Sequence, residues 1–134
     1  MQLSAYLNFN GQCAAAFAVY AKCFGGTITF TQKFGDSPMK DQVPADWYDK
    51  IMHTTLTVGD NVLMGADAPP SHYVPVQGIH VSVGAISQAE GERIFNTLAD
   101  RFQETRRALN ELRECLISLG DPEPPAELFI NPAS

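Results

Sequence analysis

Residues 3–26 read LSAYLNFNGQCAAAFAVYAKCFGG and change their hydrophobic period once. Apolar and polar side chains alternate over residues 3–9, which is typical of a half-buried strand. Asn10 is then a candidate N-cap, because its side chain can accept a hydrogen bond from the first turn of a helix. An apolar stripe over residues 11–24 predicts that helix. Gly25 and Gly26 are expected to end it, since glycine enters the left-handed cap conformation without a steric penalty.

The same alternation predicts four further strands. On the second of them, Ile28, Phe30 and Phe34 are expected on one face. Gly59, Asp60 and Asn61 predict a hairpin turn between the third and fourth strands. The predicted strands cover residues 27–34, 51–58, 62–66 and 79–85, and long loops cover residues 35–50 and 67–77.

The last third of the chain changes to a helical period. Ser87 and Glu90 form a capping-box pattern, and apolar residues then recur at alternating steps of three and four as far as Leu119. A long helix is therefore predicted over about residues 89–119. The fold class is α+β: a βαβββ module over residues 1–70, then an incomplete second module of one strand and a long helix over residues 78–134, within a single domain.

Composition excludes several classes of protein. The 134 residues are 45% hydrophobic and carry a net charge of −6, so that disorder and a nucleic-acid partner are both disfavoured. No apolar run approaches the ~20 residues of a membrane span, and no membrane partner is expected. The first residues lack the basic start and apolar core of a secretory signal, which favours a cytoplasmic location. Three cysteines match no zinc spacing and are expected to be core residues.

Polar side chains with possible functional roles occupy one side of three predicted strands. They are Tyr6 and Asn8 on the first, His53, Thr55 and Thr57 on the third, and His80 and Ser82 on the fifth. If one curved sheet carries all three strands, these side chains line a pocket for a small molecule. The alternative is a solvated sheet face, although such faces are usually rich in Lys and Glu.

Several motifs together resemble the PhnB-like proteins of the vicinal oxygen chelate group, which includes glyoxalases, bleomycin-resistance proteins and dioxygenases. They are Tyr6-Leu7-Asn8-Phe9-Asn10-Gly11, Cys23-Phe24-Gly25-Gly26, Lys50-Ile51-Met52-His53, Gly59 to Gly65 and Asp67-Ala68-Pro69-Pro70. The resemblance covers residues 1 to about 99. It implies paired βαβββ modules whose sheets curve around a cavity, usually in a homodimer, and some members carry the name 3-demethylubiquinone methyltransferase-like.

The resemblance also raises the question of a divalent metal, which would be nickel, zinc, manganese or iron. Metal-dependent members take ligands from the first, fourth, fifth and last strands. His80 stands at the fifth-strand position, whereas Ser4 and Leu63 stand near the first-strand and fourth-strand positions. Neither of those two is a ligand that such a metal prefers.

Three functions remain open at this point. The first is a metal-assisted lyase, isomerase or dioxygenase in which His53 and His80 act on a substrate held by Tyr6, Asn8, Thr55 and Ser82. The second is metal-free, resistance-type binding of a small molecule, with Trp47 and Tyr48 stacking on a flat ligand. The third is a non-catalytic protein that dimerises through the predicted helix over residues 89–119.

The charged residues predict a test of the chain's last third. Residues 1–89 contain no Glu and no Arg, whereas residues 90–134 contain no Lys. This break and the loss of the family pattern suggest a shifted reading frame. Translation of the coding DNA in another frame should then produce an aromatic-rich ending after about residue 99. If neither alternative frame encodes one, the hypothesis is wrong.

Overall fold

The computed structural model describes residues 1–101 and 129–130. These residues divide into a first unit, Met1–Ile79, and a second unit that starts at His80. No helix within this described part of the chain has the length and apolar composition needed to cross a bilayer.

The first unit is a βαβββ module. In chain order it consists of β1 (Ala5–Phe9), α1 (Cys13–Phe24), β2 (Thr27–Lys33), β3 (Ile51–Val58) and β4 (Asn61–Asp67). The sheet order is β1-β4-β3-β2, with β1 parallel to β4 and the other neighbours antiparallel. The predicted α+β class and the predicted order of elements are therefore confirmed.

The start of α1 differs from the prediction. Gly11 adopts a φ of 91°, which turns the chain after Asn10, and the residue that precedes the helix is Gln12. Asn10 is therefore not the N-cap. The carboxylate of Asp67 takes this role from the end of β4, because its Oδ1 accepts a hydrogen bond of 2.9 Å from the backbone N–H of Cys13.

Asp67 also binds the beginning of β3. Its Oδ2 accepts a hydrogen bond of 2.9 Å from the backbone N–H of Ile51, and the side chain is only 3% exposed. A buried carboxylate is tolerated when charge-assisted hydrogen bonds satisfy both of its oxygens. One side chain thus joins α1, β3 and β4.

The end of α1 follows the prediction. Gly25 has a φ of 67°, and the backbone N–H of Gly26 donates to the carbonyl oxygen of Ala21 at 2.9 Å. Gly26 is also required by close packing, because a Cβ there would lie 2.6 Å from Cγ2 of Val58. Gly25 therefore ends the helix through its left-handed conformation, and Gly26 lets the chain pass close to β3.

The core of the first unit lies between α1 and one side of the sheet. The ring of Phe17 packs edge-on to that of Phe9 at a centroid distance of 6.2 Å. A Cβ at Gly65 would lie 2.6 Å from Cε2 of Phe17, so that the absence of a side chain in β4 lets the helix approach the sheet. The buried side chains between helix and sheet are Leu7, Phe9, Cys13, Phe17, Tyr20, Cys23 and Leu56.

The segment between β2 and β3 builds a smaller core. It contains three short 3-10 helices, Phe34–Asp36, Lys40–Gln42 and Ala45–Trp47. The ring of Phe34 packs edge-on to that of Trp47 at 6.2 Å, and Val43, Tyr48 and Met52 complete the cluster. This segment is therefore ordered by its own apolar contacts.

The second unit contains β5 (Val81–Ser82), α2 (Gln88–Arg101) and β6 (Phe129–Ile130). β5 is shorter than the predicted strand over residues 79–85, and it pairs antiparallel with β6, Val81 with Ile130 and Ser82 with Phe129. Ser87 Oγ accepts from the N–H of Glu90 at 3.2 Å, and Glu90 Oε2 accepts from the N–H of Ile86 at 2.8 Å, so the predicted capping box is confirmed. The rest of the helix predicted over residues 89–119 lies outside the described residues.

The two bonds of Asp67 predict the effect of Asp67→Asn. The amide retains one acceptor oxygen and places an NH₂ group against a backbone N–H, which leaves a buried donor unpaired. We expect a loss of about 2–3 kcal/mol in the free energy of unfolding, measured by urea denaturation.

Asp60→Asn is the matched control, because Asp60 is exposed in the β3–β4 turn. It should change the free energy of unfolding by less than about 0.5 kcal/mol. Equal stability of the Asp67→Asn and Asp60→Asn variants would show that the carboxylate does not hold the three elements together.

Candidate functional site

The side of the first sheet away from α1 carries the candidate site. Strand register places Tyr6 beside Met64, Met64 beside Thr55, and Thr55 beside Phe30, so that one row crosses all four strands. His53 lies on the same side as Thr55, two residues earlier in β3. Tyr6, Phe30, His53 and Thr55 are called the His53 cluster below.

Hydroxyl groups bind both ring nitrogens of His53. Tyr6 Oη is 3.0 Å from Nδ1, and Thr55 Oγ1 is 3.2 Å from Nε2. A neutral imidazole offers one donor and one acceptor, whereas a hydroxyl can take either role. This pair of partners can therefore satisfy the ring both before and after it gains a second proton.

Two aromatic rings flank the imidazole. The ring centroids of Tyr6 and Phe30 lie 5.5 Å and 5.7 Å from that of His53. Tyr6 is 46% exposed and Phe30 is 51% exposed, so both present apolar surface to an incoming molecule. Burial, and secondarily the neighbouring Cys13 thiol, raise the pKa of the Tyr6 phenol above its ordinary value, which keeps it protonated at neutral pH.

The strand residues around the cluster on this side carry no acidic group and no Lys or Arg. They are Asn8, Thr27, Gln32, Thr57, Val62, Met64 and Ala66. A charged strand residue, Lys33, stands at the end of β2, where it pairs with Ile51 and is bound by Asp49 at 3.1 Å. The surface around His53 therefore offers mainly hydrogen bonds and ring contacts. Its chemistry therefore suits a neutral ligand better than a strongly charged one.

Phe30 is a site residue that sequence reasoning missed. The alternation in β2 assigned it to the same face as Ile28, but the register shifts between these two residues. Ile28 pairs with Leu56 and Phe30 pairs with Thr55, because a bulge at Thr29 reverses the alternation. Thr54 Oγ1 donates to the carbonyl oxygen of Phe30 at 3.0 Å next to this bulge. Phe34, also expected on that face, lies in the smaller core.

The other predicted site residues lie outside the His53 cluster. Asn8 lies on the same side of β1 as Tyr6 and is exposed. Trp47 is only 8% exposed, because its indole packs against Phe34 and Val43, so that it is a core residue rather than an exposed stacking platform. His80 precedes β5 and Ser82 lies within it, and both are exposed residues of the second unit.

The described residues do not fit a divalent metal. Among them, no three His, Cys, Asp or Glu side chains come together in an arrangement that could hold one. Leu63, near the fourth-strand ligand position, has no donor atom, and both ring nitrogens of His53 are already bonded to hydroxyl groups.

A four-stranded sheet in this order, with one helix against one side and a polar opposite side, defines a glyoxalase-like module. Comparison with solved structures supports this class. The chain is similar to the crystal structure of protein PA1353 from Pseudomonas aeruginosa, with 46% identity, 74% of this chain and 72% of that chain covered, and a TM-score of 0.66.

Two further proteins are similar to the chain. One is a putative 3-demethylubiquinone-9 3-methyltransferase, PhnB protein, from Bacillus cereus, at 18% identity, 74% coverage of each chain and a TM-score of 0.52, which supports the fold alone. The other is protein YjdN of Escherichia coli K12, 29% identical over 107 residues that cover 74% of this chain and 73% of YjdN. No family model matches the chain. The identity to PA1353 shows that the chain belongs to the same family as PA1353, and it is similar to YjdN.

The buried cysteines predict a pattern of thiol reactivity. Cys13 is 0% exposed and Cys23 is 1% exposed, and burial, with the nearby Asp67 carboxylate as a second cause, raises the pKa of the Cys13 thiol. A raised pKa lowers the thiolate fraction, and the thiolate is the reactive form. Iodoacetamide at about pH 8 should therefore leave both residues unmodified in the folded protein, as measured by peptide mass mapping.

The same treatment in urea is the control and should alkylate both residues. Rapid alkylation of Cys13 in the folded protein would contradict its placement in the core.

Proposed function

We propose that the protein binds a small, uncharged, oxygen-bearing molecule on the His53 cluster. The observation that carries the proposal is the imidazole of His53, held by a hydroxyl at each nitrogen and flanked by two half-exposed aromatic rings. Rings supply apolar contact area for a flat ligand, while the hydroxyls fix its orientation.

The side chains of the His53 cluster offer a ligand different kinds of contact. Phe30 offers only ring surface, whereas Tyr6 and Thr55 offer hydrogen bonds as well. Contact with a flat ligand is worth about 0.5–1.5 kcal/mol per aromatic pair beyond the area buried. Asn8, on the same side of β1, is the further predicted contact, and an amide can both donate to and accept from a ligand.

Metal-free binding is favoured over metal-assisted catalysis by the donor set. The described residues supply no group of three ligands, and the hydroxyls engage the one imidazole of the cluster. Three expectations stay predictions of the family resemblance. They are the catalytic roles of His53 and His80, the contact of Ser82 with substrate, and a homodimeric assembly. The name methyltransferase belongs to the Bacillus cereus protein, which is similar to this chain in fold alone.

Binding can be tested with acetophenone, which joins a flat ring to one carbonyl oxygen. Titration followed by backbone ¹H–¹⁵N NMR should give saturable shifts concentrated on the strands that carry Tyr6, His53 and Thr55. His53→Leu removes the two ring nitrogens that orient the Tyr6 and Thr55 hydroxyls, and it should raise Kd by about tenfold.

His72→Leu is the matched control, because His72 is exposed in a loop and bonds Ser71 Oγ at 2.9 Å. It should leave Kd unchanged. Shifts concentrated on α1, no saturation, or an equal loss of affinity in both variants would each contradict binding at the His53 cluster.

A further inference from the structure

The hydrogen bonds of His53 depend on its protonation state. Tyr6 Oη and Thr55 Oγ1 lie 3.0 Å and 3.2 Å from the two ring nitrogens. Because a neutral imidazole has one N–H and one lone pair, one hydroxyl donates to the ring and the other accepts from it. The proton of the donating hydroxyl then forms the hydrogen bond to the ring, and it cannot at the same time be donated to a ligand.

The relative acidity of the two hydroxyls decides which one donates. A phenol is far more acidic than an aliphatic alcohol, which makes it the stronger donor and the weaker acceptor. We therefore expect Tyr6 Oη to donate to Nδ1 of the neutral ring and Nε2–H to donate to Thr55 Oγ1.

We propose that the hydroxyl of Tyr6 is the donor that binds a ligand carbonyl oxygen, and that protonation of His53 makes this donor available. When the ring takes a proton from solvent, Nδ1 becomes a donor and Tyr6 Oη must accept from it. The phenolic proton then turns away from the imidazole and can be given to a ligand. This inference rests on the proposed function and adds its regulation and its ligand class.

Among the groups around the ring, Tyr6 is the one whose role in its hydrogen bond reverses when His53 is protonated. The groups on the same side of the neighbouring strands are Asn8 of β1, Phe30 and Gln32 of β2, and Met64 and Ala66 of β4. These five are neither charged nor titratable. The charged strand residue next in register is Lys33, which pairs with Ile51 and is bound by Asp49 at 3.1 Å. Tyr6 is the titratable group that is hydrogen-bonded to His53.

The ligand class follows from the extra donor. A neutral carbonyl compound gains one hydrogen bond when the ring is protonated and feels little direct attraction to its charge. Histidine is the side chain that takes up a proton closest to physiological pH. The affinity for such a compound should therefore rise roughly two- to tenfold when the ring takes up a proton.

The first test is the tautomer of the neutral ring. Long-range ¹H–¹⁵N NMR of the His53 imidazole distinguishes a protonated from an unprotonated ring nitrogen without any ligand. We expect Nδ1 to be the unprotonated nitrogen at about pH 8. An unprotonated Nε2 would mean that Thr55 is the donor, and it would overturn the proposal.

The second test is the affinity for acetophenone, which has no ionisable group, at about pH 5.5 and about pH 8. Tyr6→Phe keeps the ring but removes the hydroxyl, so that the rise in affinity at low pH should disappear. Tyr73→Phe is the matched control, since it removes a phenolic oxygen in the loop where Tyr73 N–H donates to the carbonyl of Pro69. It should retain the wild-type rise.

The outcomes separate this inference from the proposed function. Saturable binding with equal affinity at both pH values, or a rise that survives in Tyr6→Phe, overturns the inference and leaves binding intact. No saturable binding of acetophenone at either pH value overturns binding itself, and the inference falls with it.

Discussion

The buried carboxylate of Asp67 holds together the elements on which the site depends. Its two oxygens accept from the N–H groups of Cys13 and Ile51, which begin α1 and β3. A negative charge at a helix N-terminus is favourable, because the helix dipole is positive there. Ile51 lies two residues before His53, so the same bond fixes the start of the strand that presents the imidazole. Removing the carboxylate would thus affect the core and the site together.

The two sides of β3 show how one strand contributes to both the core and the candidate site. Thr54 and Leu56 point toward α1 and are 2% and 0% exposed, whereas His53 and Thr55 point to the opposite side and are half-buried. Alternation along a strand therefore separates the residues that stabilise the fold from those available to a ligand. The aromatic rings and hydroxyl groups around His53 limit the ligands that this side favours.

Membership of the same family as PA1353 does not by itself identify a ligand, since one fold supports many functions. The chemistry of this chain lies in its particular side chains. His53 between Tyr6 and Thr55 combines a titratable ring with two hydroxyls whose roles can reverse. We propose that this arrangement links the binding of an oxygen-bearing molecule to proton uptake by the ring.

The amino-acid sequence alone determined the α+β class, the βαβββ order, the glycine-terminated helix and the side of β3 that carries His53, because these follow from local periodicity and turn chemistry. Only the tertiary structure decided three other features. Asp67 caps a helix that begins 54 residues earlier in the chain. A bulge in β2 moves Phe30 to the polar side, and Trp47 is buried in a small core. Each depends on contacts between residues distant in sequence, and local patterns contain no information about such contacts.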